Sequence, residues 1–183
     1  PAADIINVFE VMAACPQHTF QVLTKRPERI VPVLYGEEGR FYLGGGDYLP
    51  NVWLGTSCED QKTADRRIPE LLKAGGGWTL FVSAEPLLAE VMMRSFIVPS
   101  LGSIGYISWV IVGGESGPGS RPCELAWIRS IVQQCRTAGV SCFVKQDSGP
   151  HPGLQGRIPD DLWIKEFPVV ADLRVREFPQ VRR

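Results

Sequence analysis

The sequence predicts an α/β protein: an incomplete (βα) barrel of about five parallel strands with helices outside. Three observations predict it. Five short apolar runs, at 18–23, 52–56, 79–82, 109–112 and 142–144, recur at intervals of roughly 25–35 residues. Segments with apolar residues at helical spacing lie between several of them. Each run carries a charged residue just past its C-terminal end: Lys25, Glu59, Glu85, Glu115 and Lys145 in turn. Parallel connections are right-handed, so all five C-terminal ends open on one side. A closed barrel of this kind takes eight strands, so five leave two edges to be covered or paired.

In chain order, 4–14 carries Ile5, Val8, Phe9 and Met12 on one face, the pattern of an amphipathic helix, with Asp4 as its N-cap and Pro16 after its end. The first strand runs into Thr24-Lys25-Arg26-Pro27, and Pro27 suits the first position of a short helix over 28–34. The stretch 35–50 is rich in glycine, has no period, and reads as a surface loop. After the second strand a helix starts near Asp60, with Ala64, Ile68, Leu71 and Leu72 inward. Pro69 is expected to break or kink it, and Gly75-Gly76-Gly77 to stop it. The region 87–108, with Pro99, Gly102 and Gly105, reads as loop with one helical turn. The fourth strand passes through Gly113, Gly114, Gly117 and Gly119 into a helix over 124–138, with Ile128, Ile131, Val132 and Cys135 at helical spacing and Gly139 as its C-cap. A Gly/Pro loop over 148–156 follows the fifth strand. Residues 1–168 are expected to form the partial barrel and 169–183 a C-terminal tail. Trp163, Phe167 and Phe178 are able to pack this last part of the chain onto the body.

The 183 residues suffice for one core, and 44% hydrophobic with 21% charged residues is ordinary globular composition. A net charge of −1 gives no electrostatic support for nucleic acid. The arginines at 174, 176, 182 and 183 are interrupted by Asp172 and Glu177 and read as a solvated tail. No apolar run is long enough for a membrane span, and the N-terminus is no signal peptide. The five cysteines, at 15, 58, 123, 135 and 142, are odd in number and lack CxxC spacing. They read as buried free thiols in a reducing compartment, so a cytoplasmic protein is expected. Neither His18 nor His151 has a partner pattern for metal binding or for a catalytic triad, and no metal site is expected.

The strand ends define the candidate site. Three carboxylates and two ammonium groups sharing one mouth suit a small polar ligand. The carboxylates suit hydroxyls or an ammonium; the lysines and Arg121 suit a carboxylate or phosphate. The glycine-rich turn after the fourth strand, with Gly113, Gly114, Ser116 and Arg121, allows close backbone approach to a ligand. Glu85 and Glu115 are the candidate general acid and base if their surroundings push their pKa values apart.

Several blocks carry a resemblance: HTFQVLTKRPER (18–29), NVWLGTSCEDQ (51–61), RIPELL (67–72), SAEPLL (83–88), WVIVGGESGPGSRP (109–122), CFVKQ (142–146) and GRIPDDLWIKEFP (156–168). In that order they resemble a family of uncharacterised phage-type proteins, radical-SAM-like barrels related to spore photoproduct lyase. The resemblance implies a partial βα barrel, with S-adenosylmethionine and a [4Fe–4S] cluster on an N-terminal three-cysteine motif. That motif is absent here, so this chain is not expected to perform radical chemistry alone. It reads as the C-terminal two-thirds or so of such a protein. By the same resemblance, Glu59, Glu85 and Glu115 with Ser57 and Ser83 line the S-adenosylmethionine or substrate pocket. Lys25, Arg26, Arg121, Lys145 and Gln146 complete it. Two other functions stay open: a cluster-independent barrel enzyme, and a non-catalytic partner module. Self-association through open sheet edges, or an N-terminal segment covering them, is the expected partnership. The family context also hints at nucleic acid.

Overall fold

The computed structural model describes residues 2–36, 48–75, 77–98 and 105–169. Most of the expected 35–50 loop, Gly76, Pro99, Gly102, Phe178 and the arginines beyond 170 lie outside the described residues.

Five strands form one sheet: β1 (Phe20–Thr24), β2 (Val52–Ser57), β3 (Thr79–Ala84), β4 (Ile107–Val112) and β5 (Ser141–Val144). All neighbours are parallel and the order is β1-β2-β3-β4-β5. Sequential order is the barrel pattern, since a doubly wound sheet reverses direction at a switch point. The barrel is not closed, because β1 and β5 do not pair.

Helices cover the outer face. They are α1 (Ala2–Ala14), α2 (Ile30–Tyr35), α3 (Gln61–Leu72), the single turn α4 (Arg94–Ile97) and α5 (Leu125–Ala138). Asp4 is not the N-cap of α1, which already includes Ala2; Asp4 lies in its first turn, where a carboxylate favours the helix dipole. Val8 is also misplaced by the expected stripe. It is 51% exposed, while Ile6 and Phe9 are buried. Pro27 opens a 3-10 turn (Pro27–Arg29) that leads into α2. Asp60 caps α3: its carboxylate accepts from Thr63 N at 2.7 Å, and Asp60 N donates back to Thr63 Oγ1 at 3.1 Å. Pro69 does not break α3, which continues to Leu72, because the proline falls in its final turn. Gly139 ends α5 at φ 67°, the left-handed conformation that glycine takes without steric cost.

Strand residues alternate between two layers, the period-two geometry of a β-strand. Val52, Leu54, Leu80, Val82, Val110, Val112, Cys142 and Val144 face outward into the helix-side core with Ala64, Ile68, Leu71, Ile128 and Ile131. Each such fully buried aliphatic chain contributes about 1.5–3 kcal/mol. Trp53, Phe81 and Trp109 form a separate inner cluster, joined by Ile111 and Phe143. A register shift helps to build it. Leu80 pairs with Ile107 but Phe81 pairs with Trp109, so Ser108 is the extra residue. Its hydroxyl donates to Leu80 O at 3.1 Å. This bulge sets Trp109 beside Phe81, ring centroids 5.6 Å apart. Gly55 makes room for the Phe81 ring. A Cβ there would lie 2.4 Å from the Phe81 ring.

The β5 edge is covered by the chain itself. After a 3-10 turn (Asp160–Leu162), Lys165 bridges Phe143 antiparallel. Val144 N donates to Ile164 O at 2.9 Å and Glu166 N to Cys142 O at 3.0 Å. This strap then crosses under the sheet. Trp109 Nε1 donates to Glu166 O at 2.8 Å, and the Phe167 ring lies 5.4 Å from both Trp109 and Phe143. Among the described residues no strand covers the outer edge of β1.

Candidate functional site

Because the sheet is parallel and in sequential order, its inner face rises from an aromatic floor to a polar rim. Phe81 and Trp109 pair across β3 and β4 at the bottom. The next inward row is Ser57, Ser83, Ile111 and Phe143, register partners across four strands. Just past the strand ends stand Glu85 and Lys145. A cavity of about 520 Å³ opens over this face, lined among others by Leu23, Phe81, Ser83, Glu85, Trp109 and Lys145.

Glu85 is the carboxylate of this lining. Oε2 accepts from Ser83 Oγ at 3.1 Å and sits 3.4 Å from Lys145 Nζ. Oε1 is buried with no partner among the described residues. Gly113 gives this oxygen its space, since a Cβ there would come within 2.8 Å of it. Burial pushes the Glu85 carboxyl above its ordinary value, and Lys145, Ser83 and Lys165 only partly offset this. Lys165 stands nearby on the strap, its Nζ 3.4 Å from the centre of the Trp163 ring and 4.5 Å from that of Phe143. It donates to the Val144 carbonyl and, at 3.3 Å, to Lys145 O. Burial lowers this ammonium to about 8.

Glu85 supplies a pH-dependent prediction. Its folded pKa lies above the value near 4.5 of a free carboxyl, so the native state holds this proton more tightly than the unfolded chain. The resulting stabilisation is present below that value and is lost as pH rises through the folded pKa. Glu85→Gln removes the dependence. Urea denaturation at about pH 4 and pH 7 is expected to show the stability difference shifting toward the Gln variant at the higher pH. A difference that does not change with pH would contradict the assignment.

The five strand-end charges do not stand free around one opening: Lys25 pairs with Glu59 on the adjacent strand end, Lys145 with Glu85 two strands away, and Glu115 with Arg121 of its own loop. Lys25 Nζ lies 2.9 Å from Glu59 Oε1, and Arg67 Nη1 lies 2.9 Å from Glu59 Oε2 and 3.0 Å from Ser57 O. Burial alone would raise the Glu59 carboxyl, but Lys25 and Arg67 outweigh it and hold it below the ordinary range. Ser57 Oγ and Arg67 Nε at this end are buried and have no partner among the described residues. Glu115 turns to Arg121, which donates through Nε at 2.8 Å and Nη2 at 2.7 Å. These bonds hold Glu115 at about 2.

Other expected ligand residues have structural occupations. The Gln146 side chain donates to Gly114 O and accepts from Gly153 N, both at 2.9 Å. Gly114 packs against Ser148, whose backbone N would be 2.4 Å from a Cβ at that position. Ser116 pairs with Gly149. Arg26 is at the edge of a different cleft, about 250 Å³, between α1, β1 and α2.

Arg67, Lys165 and the inner aromatic rings were not among the expected site residues. The rings had a signal. In VWLGTS, TLFVSAE, WVIVG and CFVK, alternate positions give Trp53-Gly55-Ser57, Phe81-Ser83-Glu85, Trp109-Ile111-Gly113 and Phe143-Lys145. Period-two reading of each strand separates this wall from the aliphatic outer face. Arg67 and Lys165 had none, because they reach the site from α3 and the strap.

The cysteines do not form a cluster site. Cys58, Cys123, Cys135 and Cys142 are buried in the helix-side core, away from the inner wall. Burial raises Cys58 to about 12 and Cys123 to about 11, while a hydrogen bond with Cys142, and burial with it, raises Cys135. The raised thiols of Cys58, Cys123 and Cys135 lie apart in this core, whereas a [4Fe–4S] cluster needs converging thiolates. Among the described residues no three metal-ligating side chains converge, and no helix is long and apolar enough to cross a membrane.

No curated protein and no solved structure matches the chain. Residues 1–159 match the sequence model of a family described as a protein of unknown function, DUF5131, and the chain belongs to that family.

Proposed function

We propose that this chain is the ligand-holding wall of a radical-SAM-like barrel, binding S-adenosylmethionine and a small polar substrate at the C-terminal ends of its strands. One observation carries the reading. Ser57 Oγ, at the end of β2, and Glu85 Oε1, just past the end of the adjacent β3, are buried with no partner among the described residues. Leaving such atoms unpaired costs about 1–3 kcal/mol each, so bound molecules that pair them, the cofactor at one and the substrate at the other, are the economical explanation. Hydroxyls and an amine suit Ser57 and the carboxylates, and a carboxylate suits the lysines and Arg67. When bound, S-adenosylmethionine supplies a sulfonium centre; the residues described here bind and orient. The cysteines of this chain do not fit the iron–sulfur cluster, so no radical step is assigned to them. An acid–base enzyme pairing Glu85 with Glu115 has less support, because Arg121 clamps Glu115 and only Glu85 lines the cavity.

Calorimetric titration of S-adenosylmethionine into the chain tests the proposal. Saturable binding is expected, weakened about tenfold by Ser57→Ala, the equivalent of one lost hydrogen bond. A folded chain that shows no binding at millimolar ligand overturns it.

A further inference from the structure

The cavity over the inner face is two-sided in its chemistry. Its floor is apolar, with Ile111 and Phe143 half-buried and Phe167 exposed at its side. Its rim presents one anion and one cation side by side. The Glu85–Lys145 contact of 3.4 Å is long for a charge-assisted hydrogen bond, and Lys145 is half exposed. Glu85 Oε1 still lacks a donor among the described residues. A second cation, Lys165, lies close enough to act on Glu85. A ligand satisfying all of these needs a donor cation for Glu85, an anion for Lys145, and a flat apolar body below.

From this geometry we infer that the cavity takes a zwitterion of the α-amino-acid type with a flat apolar side chain. Its ammonium meets Glu85 Oε1, its carboxylate meets Lys145, and its ring lies against Ile111, Phe143 and Phe167. An α-amino acid carries both charges on neighbouring atoms, which suits a rim where both countercharges are adjacent. A monopolar ligand would leave one rim charge with only its weak partner. Ring contacts with offset or edge geometry add about 0.5–1.5 kcal/mol beyond area burial, so an aromatic side chain suits this floor better than an aliphatic one. The inference rests on reading the inner wall as a ligand site, and it names the substrate of that wall.

The test uses three probes on the same chain: L-phenylalanine, phenethylamine, which lacks the carboxylate, and hydrocinnamate, which lacks the ammonium. Binding is followed by tryptophan fluorescence, since Trp109 lies in the floor. L-Phenylalanine is expected to bind at least about tenfold more tightly than either analogue, a factor equivalent to one net charge-assisted contact. Glu85→Gln is expected to abolish its advantage over hydrocinnamate, and Lys145→Met its advantage over phenethylamine. Equal binding of the three probes, or no binding of L-phenylalanine, overturns the inference. Equilibrium dialysis with S-adenosylmethionine on the same preparations separates the two readings. Retained S-adenosylmethionine binding without L-phenylalanine binding removes only the substrate assignment. L-Phenylalanine binding without S-adenosylmethionine binding upholds the substrate assignment and removes the cofactor reading.

Discussion

Replacing Trp109 by Ala is expected to destabilise the protein by about 3–5 kcal/mol, the cost of deleting a fully buried aromatic. The ring is 2% exposed and touches Trp53, Phe81, Phe143 and Phe167. Its indole N–H also holds the strap through Glu166 O. The loss is therefore expected in two parts. Trp109→Phe keeps most of the ring packing but drops the hydrogen bond, and should cost about 1 kcal/mol for the bond plus the smaller ring. Urea denaturation gives both numbers. Hydrogen exchange at Glu166 N, which donates to Cys142 O, reports on the strap and should accelerate in both variants. Normal strap protection in Trp109→Ala would show that the strap is held by the β5 edge alone.

The second large effect is expected at Glu59. The facing side chains are nearly enclosed, Glu59 at 15% and Arg67 at 11% exposure. Among the described residues Glu59→Ala leaves the Arg67 guanidinium with Ser57 O alone, and an uncompensated buried charge typically costs about 3–5 kcal/mol. The lower end applies because some water reaches the pair. Arg67→Met should cost less, since Glu59 keeps Lys25. The double variant Glu59→Ala, Arg67→Met is expected to be more stable than Glu59→Ala alone, because it removes the stranded charge. Additive losses in this cycle would show that the two groups do not interact.

Legibility in the sequence differed from one element to another for identifiable reasons. The helix α3 was readable from Asp60, Ala64, Ile68 and Leu71, because capping and the 3.6-residue period are local. Gly139 was readable for the same reason. Errors fell where local pattern left two answers. Val8 fits the apolar stripe of α1 as well as Ile6 does, and only the helix's packing against the rest of the fold, α2 included, buries Ile6. Pro69 reads as a breaker, yet three residues from the helix end it is tolerated. The candidate site was half legible. Glu85, Ser83 and Lys145 follow from reading what lies at each strand end. Arg67 and Lys165 arrive from segments whose own periodicity says nothing about a site.

By itself the sequence determined the all-parallel sheet, the helices outside it and the polar side of the molecule, since apolar runs spaced for helical crossovers admit one handedness. It also determined that each strand would end in a charge. The tertiary structure alone decided which charges pair, that Glu115 would be clamped by Arg121, and that one Glu85 oxygen would have no partner among the described residues. It alone laid the strap from 163 to 168 along β5 and over Trp109. The reason is physical. Strand and helix formation depend on neighbours a few residues away, whereas an ion pair such as Glu85–Lys145 joins groups 60 residues apart and depends on how the sheet curves between them.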